Sequence, residues 1–90
     1  MAKSLLGNHV IYTLTGEDVQ MIEQLVPALN GAGGTNYNTV HAGQEYPALV
    51  VRLNGGGSVN LKVQLDGGAS AVYWATSRKE GDELGQWRKR

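Results

Sequence analysis

The chain has 90 residues, with eight basic and eight acidic side chains and no cysteine. Two independent hydrophobic cores need a longer chain, so we expect a single domain over residues 1–90. The balanced charge argues against a general binder of nucleic acid or of anionic membranes, and no apolar run approaches the roughly 20 residues that span a bilayer. The lack of cysteine excludes a disulfide framework and a thiolate site.

An arm and a first strand are predicted at the N-terminus. Residues 1–8 have the composition of a short arm. Residues 9–14 read HVIYTL, a run rich in the β-branched and aromatic residues that strands favour. Alternation along a strand places Val10, Tyr12 and Leu14 on one face, which we expect to point inward.

A helix is predicted next, over about residues 16–29. Thr15 lies three residues before the acidic Asp18, which is the spacing of a capping box at a helix start. Apolar residues then recur at helical spacing and form a stripe that can cover an open sheet face: Val19, Ile22, Val26 and Leu29. Because proline removes a hydrogen bond and clashes with the preceding turn, Pro27 predicts that regular helix ends or kinks near residues 25–26.

A glycine-rich loop is predicted at residues 31–38, which read GAGGTNYN. It lacks the lysine followed by serine or threonine of a phosphate-binding loop. It also lacks the preceding strand and following long helix of the dinucleotide fingerprint. We therefore do not interpret this loop as a phosphate cradle.

The second half of the chain is organised around residues 46–77, where three β-type runs are separated by glycine-rich turns at residues 54–57 and 66–68. Glycine supplies the positive φ of tight hairpins, so we predict a three-stranded antiparallel meander with one face in the core. The middle run alternates strictly, and its apolar set is expected to point inward: Val59, Leu61, Val63 and Leu65. The first run has apolar residues in both alternating sets, which leaves its inward face open.

The third run and the C-terminal segment are less regular. In the third run, two alternating sets could form the inward face: Val72, Trp74 and Thr76, or Tyr73 and Ala75. We predict that Val72 and Trp74 point inward. Residues 78–90 contain three acidic and five basic side chains and are expected to form a turn followed by a short closing strand or tail.

No residue pattern indicates catalysis, a metal or a cofactor. His9 and His41 lie 32 positions apart, so a zinc site would need carboxylates from distant loops. No serine stands in a strand-turn-helix elbow. The acidic side chains of residues 80–83 have basic neighbours, which explains them as paired surface charge. We therefore expect that the protein is not an enzyme and binds no cofactor.

Candidate partner contacts are few. Trp87 is followed by Arg88, Lys89 and Arg90, and an aromatic with three cations suits docking on an acidic protein surface or on phosphates. The alternative is a tail whose tryptophan caps the barrel while its charges stay solvated, and both interpretations remain open. Tyr37 and Tyr46 flank the glycine-rich loop and are candidate contact residues as well, although one of them is expected to pack inside.

Several short motifs resemble small, mostly uncharacterised proteins of tailed bacteriophages and prophages. The matching stretches are YPALVVR at residues 46–52, VNLKV at residues 59–63 followed by Asp66-Gly67, YWATS at residues 73–77, and residues 85–87, with weaker similarity at residues 9–15. The resemblance implies a mainly β fold of the α+β type, a small SH3-like antiparallel barrel of about five strands with one N-terminal helix. It transfers no catalytic residue, because the group has no agreed biochemical activity. The group tends to close on a tryptophan-rich, proline-containing stretch, whereas this chain ends in QWRKR.

The resemblance implies a non-enzymatic virion structural protein, a capsid decoration or minor capsid (cement) protein that binds the major capsid protein or other virion subunits. Such a protein would be located in the capsid, and in the host cytoplasm before assembly. The alternative is a phage anti-defence protein that sequesters a nucleotide signal as an oligomer. A homo-oligomer fits either hypothesis, and a nucleic-acid-binding barrel is disfavoured by the neutral charge.

Overall fold

The computed structural model describes residues 5–30, 38–67 and 71–90, and only the backbone of residues 25–30. Six elements follow one another along the chain: β1 (His9–Thr13), α1 (Gly16–Asn30), β2 (Glu45–Gly55), β3 (Ser58–Gln64), β4 (Val72–Lys79) and β5 (Trp87–Lys89). Within these described ranges, no helix is long and apolar enough to cross a membrane. The first four residues of the predicted arm and the glycine-rich loop as far as Tyr37 lie outside the described residues.

The five strands form one sheet in the order β4-β3-β2-β1-β5, and every neighbouring pair is antiparallel. The two edge strands meet at one end, where Glu80, directly after β4, forms a parallel bridge with Trp87 of β5. The Gly81 N–H donates to the Trp87 carbonyl (2.8 Å), and the Trp87 indole Nε1–H donates to the Arg78 carbonyl (3.1 Å). The predicted mainly β fold with five antiparallel strands and one helix is confirmed, and the strand order is compatible with an SH3-like barrel.

The core lies between the inner face of the sheet and α1. Residues that face each other in a ladder project to the same side, and the register pairs Val10 with Ala48 and Tyr12 with Trp87. All four are buried, as is Ile22 of α1. The predicted inward orientation is confirmed for seven residues: Val10, Tyr12, Leu14, Val59, Leu61, Val63 and Leu65. In β2, where the sequence leaves the inward face open, the smaller set that includes Ala48 and Val50 points inward.

The end of the predicted arm is attached to β2. The Gly7 N–H donates to the Val50 carbonyl (2.8 Å), and the Val50 N–H donates to the Asn8 carbonyl (3.0 Å). Leu5 packs against the core. The segment before β1 is therefore part of the folded domain from Leu5 onward.

The predicted orientation of β4 is wrong. Tyr73 and Ala75 point inward and are buried, whereas Val72 is half-buried and Trp74 is 64% exposed. The reason is the register with β3, which sets Tyr73 opposite the inward residue Val63. The strict alternation of β3 therefore fixes the face of its neighbour, and the larger indole lies outside.

The start of α1 and its predicted extent to about residue 29 are confirmed, whereas the expected end of regular helix near residues 25–26 is wrong. The Asp18 N–H donates to Thr15 Oγ1 (2.9 Å), and the Thr15 N–H donates to Asp18 Oδ2 (2.9 Å), which is the reciprocal pattern of a capping box. The helix does not stop near residues 25–26 but continues through Pro27 to Asn30. The proline ring fixes φ near the helical value, so Pro27 removes one donor without forcing the chain out of the helix.

A bulge with unusual backbone geometry lies in β4. Its register with β3 shifts between Val59 and Leu61, and Ser77 within the shift has a φ of 57°. Among the described residues, Ser77 is the one residue other than glycine with a positive φ. The Asn60 Oδ1 stabilises the bulge by accepting the Ser77 N–H (2.9 Å) and the Asn54 Nδ2–H (2.7 Å).

We expect the substitution Ser77→Gly to raise the free energy of unfolding by about 0.5–1 kcal/mol, because glycine adopts a positive φ without the steric penalty of a Cβ. Urea denaturation followed by circular dichroism measures the change. Thr76→Gly is the control, since Thr76 has no positive φ and glycine in a strand destabilises it by about 0.5–1 kcal/mol. A loss of stability in both variants would contradict strain at Ser77.

Candidate functional site

The most polar feature of the interior is a cluster centred on Asp18, which is 1% exposed. The Tyr12 hydroxyl donates to Asp18 Oδ2 (2.5 Å), and the Tyr73 hydroxyl donates to Asp18 Oδ1 (2.6 Å). Arg78 Nη2 donates to the same Oδ1 (2.9 Å). With the Thr15 N–H, the carboxylate accepts four hydrogen bonds. We call Tyr12, Asp18, Tyr73 and Arg78 the anchor cluster.

The pKa values within the anchor cluster shift in opposite directions. Burial opposes ionisation of Asp18, but the hydrogen bonds it accepts and the charge of Arg78 outweigh this effect and lower its pKa. Burial raises the pKa of Tyr73 to about 12, with the hydrogen bond to Asp18 and the charge of that carboxylate acting in the same direction. The same causes raise the pKa of Tyr12. At neutral pH the cluster is therefore an ionised carboxylate surrounded by neutral hydroxyls and one guanidinium.

This arrangement holds the fold together and leaves no room for chemistry on a substrate. Both carboxylate oxygens already accept two donors each, and Asp18 and Tyr12 are almost fully buried. The cluster joins the first turn of α1 to β1 and to β4. The capping role of Asp18 was predictable from its spacing to Thr15. Tyr73 and Arg78 lie 55 and 60 residues from Asp18 in sequence, so no local pattern indicated their contacts with it.

The outer face of the sheet, opposite the core, carries an open groove. The register aligns one residue from each of four strands across this face: Trp74, Lys62, Leu49 and His9. The groove has a volume of about 340 Å³ and is lined by His9, Pro47, Ala48, Leu49, Lys62, Gln64 and Val72. Trp74 stands opposite the lining residue Lys62 in the ladder. We call this feature the outer groove; its size is within the range of ligand-binding clefts.

The outer face is predominantly cationic. Arg52 lies opposite Asn60 and Lys79 lies opposite Ser58, which places both cations on the same face as Lys62. In the part of the chain that the structure describes, none of these three has an ion-pair partner. The carboxylate on this face, Glu45, is already neutralised by Arg88, at 2.8 Å from Nη1. A ligand that approaches this face therefore meets uncompensated positive charge.

The predicted contact residues have different surroundings. Tyr46 is half-buried against the core, and its hydroxyl donates to Gln44 Oε1 (3.0 Å). Trp87 is 1% exposed, so it offers no surface to a partner and occupies the position of an internal anchor. Arg88 pairs with Glu45, whereas Lys89 and Arg90 are exposed. Tyr37 lies outside the described residues.

Sequence reasoning missed the outer groove and its tryptophan. The groove draws its lining from four strands, so it becomes visible only when the register is known. His9 is one of its lining residues, while His41 lies in the turn before β2, where its backbone N–H donates to Gln44 Oε1 (2.8 Å). Across residues 5–30, 38–67 and 71–90, no three histidine or acidic side chains are grouped so as to hold a metal ion.

We expect Asp18→Asn to lower the free energy of unfolding at pH 7 by about 3 kcal/mol, because it removes the charge that Arg78 and the two hydroxyls surround. The lowered pKa means that the ionised carboxylate stabilises the fold above its unfolded-state pKa of about 3.9, and that this contribution is lost as the pH falls through the folded-state value. The difference between the native chain and the variant should therefore shrink below about pH 4.

Urea denaturation between pH 7 and pH 2 measures this difference. Glu45→Gln is the matched control, because it removes an exposed carboxylate that is also paired with an arginine. Exposed pairs contribute at most about 1 kcal/mol, so this variant should change little. Equal effects of the two substitutions would contradict the anchoring role of Asp18.

Comparison with protein-family models, with curated proteins and with solved structures finds no match to this chain. No residue role is therefore transferred from a matched protein.

Proposed function

We propose that the protein is a non-enzymatic structural protein of a bacteriophage virion, a capsid decoration or minor capsid protein that docks on the major capsid protein. This proposal rests on the exposure of Trp74. Its side chain is 64% exposed and lies beside the open groove on the outer face of the sheet, opposite the core. A large aromatic side chain left in water gains free energy when a partner covers it, and tryptophan is enriched at protein interfaces.

The resemblance to phage proteins supports the same setting. Trp74 belongs to the motif at residues 73–77, and Pro47, which lines the outer groove, belongs to the motif at residues 46–52. Neither residue is part of the buried core. Packing requirements therefore do not explain these two motif residues, whereas contact with a partner would.

The C-terminal tail is a second contact in this proposal. Lys89 and Arg90 are exposed and suit an acidic capsid surface. Trp87 supports them from inside, because its pairing with Tyr12 and Glu80 fixes β5, which carries Lys89 and directly precedes Arg90. Removal of residues 87–90 would remove this buried anchor, so the tail is better tested by substitution of Lys89 and Arg90.

The proposal predicts that purified particles of the phage that encodes this chain contain the protein in many copies, as mass spectrometry can count. Particles assembled with Trp74→Ala should carry at least about tenfold less protein, because loss of a central interface tryptophan costs about 2 kcal/mol or more. Leu84→Ala is the matched control, since Leu84 is 55% exposed in the connection between β4 and β5, outside the groove.

Circular dichroism of both variants confirms that they are folded before occupancy is compared. Particles that contain none of the protein would overturn the virion role. Full occupancy with Trp74→Ala would remove the outer face from the docking surface. An equal loss with Leu84→Ala would mean that the effect is not specific to that face.

A further inference from the structure

We propose that the outer groove binds an extended, acidic segment of a partner protein, with an aliphatic side chain of that segment in the groove and its carboxylates on Lys62 and on the other cations of the same face. This inference rests on the proposed function as a protein-docking module and names the chemistry of the partner. It assigns the contact to the sheet face formed by β1, β2, β3 and β4.

The shape and lining of the outer groove determine the anchor. Pro47, Leu49 and Val72 give it aliphatic walls, and its volume of about 340 Å³ accommodates a leucine-sized side chain together with the adjoining backbone. Burying such a side chain contributes free energy in proportion to the apolar area removed from water. The groove is open rather than enclosed, which suits a segment that lies across the sheet.

The charge around the groove determines the rest of the segment. Lys62 is one of the lining residues, and Arg52 and Lys79 lie on the same face, all without an ion-pair partner among the described residues. Glu45, whose carboxylate lies on the same face, forms a salt bridge with Arg88. Carboxylates of a partner would therefore meet cations that nothing in the described chain neutralises, and complementary potentials of this kind give specificity.

Two other occupants fit less well. Nucleic acid binds small barrels through successive aromatic side chains that stack on bases, but Trp74 is the single aromatic residue on the outer face of the described strands, because Tyr12, Tyr46, Tyr73 and Trp87 project inward. A second copy of this chain would need an acidic strand of its own. No exposed strand of the described residues has an acidic excess.

Selection from a random library of dodecapeptides tests the proposal. The library is selected on the immobilised native chain after removal of binders to the bare support. Enriched peptides should share an aliphatic residue flanked by aspartate or glutamate. The strongest peptide is then synthesised together with a version in which every acidic residue is replaced by its amide.

Fluorescence anisotropy compares the two peptides. The amide version should bind at least tenfold more weakly, and Lys62→Gln should weaken the acidic peptide at least fivefold. Gln20→Glu is the matched control: it changes the net charge by the same amount at an exposed position of α1, and should alter affinity by less than twofold. Added salt should weaken the native complex, because these cations are exposed and screened.

Several results would overturn the inference. They are no enriched peptide, a consensus without acidic residues, or equal affinity for the acid and amide versions. Tighter binding of a twelve-nucleotide oligothymidine in the same buffer would replace it with a nucleic-acid site. Self-association of the native chain in sedimentation, lost in Trp74→Ala, would replace it with an interface between copies.

The two proposals fail in distinguishable ways. If Trp74→Ala lowers occupancy of the phage particle but no acidic consensus is selected, the docking role stands and the chemistry assigned to the partner is wrong. If acidic peptides bind the groove but the protein is absent from particles, the groove stands and the virion role is wrong.

Discussion

The buried carboxylate of Asp18 is the constraint on which the rest of the structure depends. A charge in the interior is tolerated only when donors surround it, and here they come from the helix cap, from β1 and from β4. To reach Asp18, Tyr73 must point inward, and alternation along β4 then places Trp74 outside. The polar interaction that fixes α1 on the sheet thus also sets the tryptophan on the free face.

Closure of the sheet depends on a second buried group, the indole of Trp87. Its backbone belongs to β5 and bridges to Glu80 beyond β4, while its Nε1–H reaches the Arg78 carbonyl at 3.1 Å. Arg78 in turn donates to Asp18, so the closure and the helix anchor share one residue. The two edge strands are thus joined at one end by hydrogen bonds that Trp87 donates and accepts.

Features of the fold that are set within one element were predictable from the sequence. Features that depend on contacts between residues far apart in the chain were not. The strict alternation of β3 and the Thr15 to Asp18 spacing each act within one element, and both are confirmed. In β4 both alternating sets are apolar, so local sequence does not decide which set points inward; the register that places Tyr73 opposite Val63, and the hydrogen bond of the Tyr73 hydroxyl to a carboxylate 55 residues away, decide it. The outer groove was not predictable for the same reason, since its lining depends on the register of four strands.

The charge distribution shows why composition alone says little about binding. The total formal charge is zero, yet the signs are separated in space. Glu17 and Glu23 are exposed on α1, and residues 80–83 add an acidic connection, whereas the outer face presents cations. At physiological salt, charges act over roughly 8 Å, so an approaching segment responds to the face it meets and not to the sum over the molecule. A neutral chain can in this way offer a locally cationic, partly apolar surface that selects an acidic partner.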